Sequence, residues 1–490
     1  MRKARTRGRL SFVLTRTIVS LLCAMTAIPS PGQAFTLLHI FDGYDGAYPY
    51  KAALVQGTDG NLYGTTSTDG PNGIRNAGTV FKITPDGTLT TVYSFCSQSS
   101  CVDGAQPAAG LVLATDGNFY GTTFYGGANN AGTVFTITPP GTLTTIYSFC
   151  SQSNCTDGAG PWGLVQGTDG NFYGTTFAGG EMDCAIPSGC GTVFKITPAG
   201  VLKTLYTFTV NGGAGAGPVA GLVLGNNGNF YGVTGCESTE TVFKITPTGK
   251  LTTLHFFGGS DGRCPVAGLV LGNNGNFYGT TGIGGANSYG TVFKMTPTGK
   301  LTTLHSFDST DGSTPSAGLV QATDGNLYGT TEFGGNSCSG FSGCGTIFKI
   351  TPRGKLTTLY SFCSQPECAD GALPVAALVQ HTNGNFYGTT FGNDVEGGAP
   401  FGTVFSESVG LGPFVEGLTY SGKVGATIEF LGQDFTSSST VSFNGTPVTP
   451  IVISGTYLTA KVPSGATTGF VTITTSIGSL QSNKRFRVIQ

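Results

Sequence analysis

Three sets of side chains in this 490-residue sequence could do chemistry, and each would do a different kind. Tyr125, Trp162, Phe177, Phe333 and Phe391 are aromatics set among small and polar residues, and such rings can stack on the apolar faces of sugars; Trp162, the one tryptophan, is the foremost candidate. Asp45, Asp103, Asp157, Asp261, Asp311 and Asp370 each precede a glycine, with Asn211 filling the gap in the series. Oxygen ligands of this type hold calcium, whereas Asp-Gly is also ordinary turn chemistry, the carboxylate accepting a backbone hydrogen bond. The aromatics have an equally plain alternative, packing beneath loops.

The third set is cysteine. Of 13, Cys23 stands apart and the other twelve fall into pairs: Cys96/Cys101, Cys150/Cys155, Cys184/Cys190, Cys338/Cys344, Cys363/Cys368 and, by remainder, Cys236/Cys264. Disulfides persist in oxidising compartments, so this usage points to a secreted or cell-surface location outside the cytoplasm. Zinc sites favour Cys-x2-Cys with a second pair or a histidine nearby. Here the gaps are four or five residues, and His39, His255, His305 and His381 are scattered.

Catalysis finds little support. No Ser-His-Asp order, Gly-x-Ser-x-Gly elbow or phosphate loop is present, and no cofactor is implied beyond the calcium just mentioned. Glu181, Asp183, Glu332, Asp394 and Glu396 could supply paired carboxylates for glycan cleavage, but sequence gives them no common geometry.

These residues hang on a repeat. Asp/Asn-Gly-Asn-Phe/Leu-Tyr-Gly returns with its tyrosine at 63, 120, 173, 231, 278, 328 and 387, at spacings of 57, 53, 58, 47, 50 and 59 residues. That is a propeller period. Each unit reads as four short strands: Gly110–Leu113, Asn118–Thr123, Gly132–Pro139 and Leu143–Phe149 in the second. Asp116-Gly117 predicts a two-residue hairpin with positive φ angles. Phe119 and Tyr120, side by side, suit a strand buried on both faces, and Gly121 suits a close approach. Lys82, Lys195, Lys244, Lys294 and Lys349 share one position in the third strand, expected to be a solvated or edge row, and His39, His255 and His305 fill the tyrosine slot of the fourth, a packing position.

The ends indicate closure. The seventh unit stops near Phe405 without a fourth strand, while Phe35–Phe41 is a fourth strand with no unit before it. The expected fold is therefore all-β, a seven-bladed β-propeller over 35–408 closed by an N-terminal strand. A basic start, an uncharged stretch over Ile18–Ile28 and the small residues near Ala34 make 1–34 a signal peptide. Beyond it 18 Lys and Arg face 26 Asp and Glu, a net charge of −8, which argues against a nucleic-acid partner. No transmembrane segment is expected after cleavage, and a monomer is.

The paired motifs Asp/Asn-Gly-Asn-Phe/Leu-Tyr-Gly-Thr-Thr and Gly-Thr-Val-Phe-Lys-Ile-Thr-Pro resemble the GloVer tandem repeat of bacterial exported proteins with varied C-terminal anchors, over about 35–405. Unit four departs from it at Val233 and at Glu240-Thr241. From 411 to 490 the chain reads as a small immunoglobulin-like β-sandwich, with Gly422–Ile428, Leu431–Phe435, Val441–Gly445 and Gly469–Ile473 resembling an IPT/TIG domain; the likeness implies a spacer or adhesive module. No hydrophobic helix or basic tail follows it in the sequence, so the anchor of such proteins is expected to be absent or on another protein.

In a four-stranded blade the loops after strands two and four share one face. That face carries the length differences and all twelve cysteines, whereas the other shows short, repetitive turns. The expected function is binding of a glycan or a cell-surface protein through the long-loop face; a polysaccharide hydrolase or lyase and a purely structural envelope protein are the alternatives.

Overall fold

The computed structural model describes residues 33–181, 184, 189–209, 213–236, 239–335, 343–392 and 400–489. Residues 1–32, most of the expected signal peptide, and Cys338, Asn211, Asp183, Asp394 and Glu396 lie outside them. Among the described residues the chain is all-β, with three single-turn 3-10 segments and no α-helix.

Seven four-stranded antiparallel sheets are built from the repeats. The second shows the pattern, with Val112–Leu113, Phe119–Thr123, Thr133–Ile137 and Leu143–Ser148 in spatial order. Its first turn differs from the sequence expectation. Beyond the Leu113–Phe119 pair the Ala114 N–H donates to the Asn118 carbonyl at 2.9 Å, so Thr115, Asp116 and Gly117 make a three-residue loop, and of Asp116 and Gly117 only the glycine has positive φ, at +80°. The turn is a type I turn followed by a left-handed glycine. Asp116 stays on the ordinary side of φ because its carboxylate works locally: Oδ1 accepts the Asn118 N–H at 3.0 Å and Oδ2 accepts the Tyr120 hydroxyl at 2.8 Å. Burial and that carboxylate together push the Tyr120 hydroxyl up to about 12. Asn227, Asn274 and Asn383 reverse the polarity, their amides donating to Tyr231, Tyr278 and Tyr387.

The buried tyrosines join sheet to sheet. Tyr63, Tyr120, Tyr173, Tyr231 and Tyr328 lie 4.0–4.3 Å, ring to ring, from Phe119, Phe172, Phe230, Phe277 and Phe386 of the following sheet. Tyr278 packs with Leu327, and Tyr387 of the last sheet packs with Leu62 of the first, so the series runs in a ring. A Cβ on Gly121 would stand 2.5 Å from Phe135 Cζ, which is why this strand position is glycine.

Closure falls to the first strand. Gln33–Ile40 pairs antiparallel with Thr403–Val409, setting Phe35 opposite Glu407 and Leu37 opposite Phe405. It is the outer strand of the last sheet, and it starts two residues before the expected signal cut. Unit four keeps the fold by another contact. Elsewhere the residue ahead of the next unit's proline is tied by its N–H to a mid-sheet loop carbonyl, as Gln106 is to Ala77 at 2.9 Å; in unit four the Glu240 carboxylate accepts the Cys264 N–H at 3.0 Å.

The C-terminal part stacks two four-stranded sheets over a core that includes Ile428, Phe430, Phe443, Leu458 and Ile473. It lies against the short-turn face of the ring. Gln433 donates to Thr382 Oγ1 at 2.7 Å, Thr456 to the Thr58 carbonyl at 2.8 Å, Arg487 to the Asn226 carbonyl at 3.1 Å, and Asn273 donates back to the Asn483 carbonyl at 3.0 Å. Those turns belong to units seven, one, four and five, on both sides of the ring.

Candidate functional site

The free face is the one with the long loops, and its centre is a cavity of about 250 Å³ to which all seven units contribute the segment leading into their first strand. Five units spell this segment Pro-x-Ala-Gly/Ala-Leu, so small side chains line most of the wall. Two units break the spelling. Unit three drops a residue, giving Pro161-Trp162-Gly163-Leu164, and its strand runs unbroken over Ala159–Gln166 with a register shift at Trp162. Unit one inserts a residue, giving Pro49-Tyr50-Lys51-Ala52-Ala53-Leu54. Trp162 and Lys51 are thus the large residues of the lining, and Lys51 Nζ stands 5.4 Å from the centre of the Trp162 ring and 5.5 Å from that of Tyr50.

Aromatics gather around them. Phe124 meets Trp162 edge-on at 5.5 Å and Phe177 at 6.3 Å; Phe391 lies 4.9 Å from Tyr48 and 5.6 Å from Tyr50. Phe124, Phe177 and Phe391 all follow the Tyr-Gly-Thr-Thr of their second strand, and in unit six that position is Glu332, which accepts from Ser316 Oγ at 2.6 Å. Burial lowers the affinity of Lys51 for its proton, with Glu332 opposing the shift, and burial with Glu332 raises the Tyr50 hydroxyl. The Trp162 Nε1 is a buried donor with no hydrogen-bond partner among the described residues.

Of the five predicted aromatics, then, Trp162 lines the cavity, Phe177 packs on Phe124, and Phe391 packs on Tyr48 and Tyr50. Tyr125 and Phe333 sit one position further along, bridging to Ala105 and Ser313 at their own loops, and Tyr125 is 45% exposed. Phe124, Tyr50 and Lys51 were not singled out from sequence. The signal was there, in the one-residue insertion and deletion, but alignment on the distant tyrosines hides it.

The six aspartates are placed differently. Each accepts a hydrogen bond from the fourth strand just before it: Asp45, Asp261 and Asp311 from His39, His255 and His305 at 2.6–2.7 Å, and Asp103, Asp157 and Asp370 from Tyr93, Tyr147 and Tyr360 at 2.7–2.8 Å. Histidine goes with a spacing of six residues and tyrosine with ten. The histidine slot is therefore a hydrogen-bonding position as well as a packing one. Among the described residues no three of these carboxylates come within ligand reach of one another. The lysine row answers the turn face: Lys195 and Lys349 pair with Asp169 and Asp324 at 2.8 Å.

Five disulfides are described: Cys96–Cys101, Cys150–Cys155, Cys184–Cys190, Cys363–Cys368 and Cys236–Cys264, the last joining sheets four and five. Cys344 lies with its Sγ within 4.8 Å of Cys363 and Cys368, which are bonded to each other rather than available as thiolates. Of the five loop acids proposed for cleavage chemistry, Glu332 reaches the mouth, while Glu181 is exposed on its loop.

One buried carboxylate lies away from the mouth. Glu407 takes the position held by Ile83, Ile137, Ile196, Ile245, Met295 and Ile350 in the other sheets, is 1% exposed, and neither oxygen has a hydrogen-bond partner among the described residues. Burial raises it from 4.5 to about 7, although the Gln33 amide, itself spent on the Leu359 carbonyl at 2.6 Å, works the other way.

Comparison with solved structures agrees with the architecture. A fungal alcohol oxidase of the AA5 family in complex with copper superposes with a TM-score of 0.53 at 13% identity, over 94% of this chain and 99% of that one. A looser likeness, TM-score 0.49 at 11% identity over 92% of this chain, links it to 57% of the extracellular domain of a protein described as a hybrid two-component system of B. thetaiotaomicron. At such identities the oxidase speaks for fold and not for activity. No curated protein is similar enough in sequence to lend it one. The sequence family is plain, however: residues 413–488 match the IPT/TIG domain, and with 23–240 and 186–405 matching its repeat, the chain belongs to the Gloeobacter/Verrucomicrobia repeat family.

Proposed function

We propose that this is an exported, non-catalytic propeller that binds a glycan at the mouth of its central cavity, with the C-terminal sandwich serving as base and spacer. The observation that carries the reading is the cluster of Phe124, Trp162 and Phe177 on the face the sandwich leaves open. Rings held on a rigid scaffold offer apolar area to a sugar face at little entropic cost. The disulfides support a location outside the cytoplasm.

The test is retention of the purified protein on a panel of soluble and insoluble polysaccharides, in calcium and in chelator, with newly released chain ends scored in parallel. Retention without release, weakened in Trp162→Ala, is expected. Release of ends would make the protein an enzyme instead, and neither retention nor release would point to a protein partner.

A further inference from the structure

We infer that the mouth selects a negatively charged sugar residue, bearing a carboxylate or a sulfate, and that Lys51 reads the charge. This rests on the glycan reading. In the other units the lining is alanine, glycine, valine, leucine and serine beside Trp162, which offer shape but no charge. The inserted residue of unit one puts an ammonium there.

That ammonium is unusually placed. Its neighbours are the ring faces of Trp162 and Tyr50, and Lys51 makes no ion pair or hydrogen bond among the described residues. Removing an ammonium from water without an acceptor is costly. Glu332 is near enough to favour the charged form yet makes no ion pair with it, its Oε2 being held by Ser316. In its charged form the lysine presents three donors, and no acceptor among the described residues takes them. A neutral sugar could lie against Trp162 and Phe124 without Lys51. An anionic substituent on that sugar would meet the ammonium in a partly dehydrated site, where a charge-assisted hydrogen bond counts for more than in water.

The whole-molecule charge sharpens the inference. Beyond the leader the chain carries a net −8, so general attraction to a polyanion is absent and retention by one must come from a local site.

Affinity electrophoresis of the full protein in gels holding polygalacturonate, sulfated galactan or neutral galactan tests this, at low and high salt. The expected result is retardation at least about tenfold stronger, in apparent Kd, for one of the charged polymers, weakened by salt, lost in Lys51→Met and restored in Lys51→Arg. The carboxylate and sulfate gels separate the two sources of charge. Lys51 belongs to none of the hydrophobic clusters, so Lys51→Met should melt with the parent, and the melt is recorded alongside. Equal binding of charged and neutral galactan, or a Lys51→Met protein that binds the charged polymer as the parent does, overturns the inference and leaves the glycan reading standing. No retardation in any gel removes both.

Discussion

At the scale of the residue, two side chains depart from what the repeat would place there, and each makes a measurable claim. Trp162 replaces small residues at the cavity mouth. Its truncation to alanine is expected to weaken glycan retention roughly tenfold, in line with about 0.5–1.5 kcal/mol for an aromatic contact, while leaving the melting temperature near that of the parent. Glu407 replaces isoleucine in the core of the closing sheet. Its folded-state value is raised, so between 4.5 and about 7 the folded chain holds a proton that the unfolded chain has released. Stability contributed by the neutral acid is complete at the acid end of that window and lost as pH rises through it. Glu407→Gln should therefore match the parent in thermal melts at pH 5 and exceed it at pH 8; a constant difference at both would show that the carboxyl does not titrate there.

At the scale of the element, the recurring motif is a turn and a buried strand written together. Asp116 takes hydrogen bonds from Asn118 and Tyr120, and the same tyrosine carries the contact to the next sheet. Gly121→Ala would press a methyl group to within 2.5 Å of Phe135 and is expected to cost about 1–3 kcal/mol, read as a shift in the denaturant midpoint. This coupling explains why so much of the fold was legible. Strand order, the buried tyrosine and the split seventh sheet all leave periodic marks, because every unit must meet its neighbour in the same way. The turn itself was misjudged, since Asp-Gly fits a two-residue and a three-residue loop alike and only the register of Leu113 against Phe119 decides. The mouth was half legible. Trp162 announces itself by type, but Lys51 matters through its position after an inserted residue, and Tyr125 looks equivalent to Phe124 until the strand's alternation separates them.

At the scale of the whole molecule, the sandwich is hydrogen-bonded to the turn face of the ring. Its contacts there are largely with backbone carbonyls, those of Thr58 and Asn226 among them, which is why no side-chain pattern foretold the docking. His381, buried beside that seam, donates to the Gly60 carbonyl at 2.9 Å, and burial lowers its proton affinity below the usual 6.5. The folded form thus stays neutral while the unfolded chain protonates, so stability should fall as pH drops below 6.5. His381→Gln should flatten that dependence in melts between pH 5 and pH 7.5, and an unchanged slope would place its origin elsewhere. Closure by Gln33–Ile40 predicts in turn that deleting 35–41 costs soluble, folded protein; a deletion that melts like the parent would refute it.

The clasp also sets an order of events. Phe35 and its partner Glu407 are 372 residues apart in the chain, so the strand made first waits until nearly all the repeats exist before it has anything to join. Contacts that distant in sequence form slowly, and until they form both edges of the array are open to pairing with other chains. The ring is therefore most exposed to misassembly at the end of its synthesis, when everything but the last seam is already built.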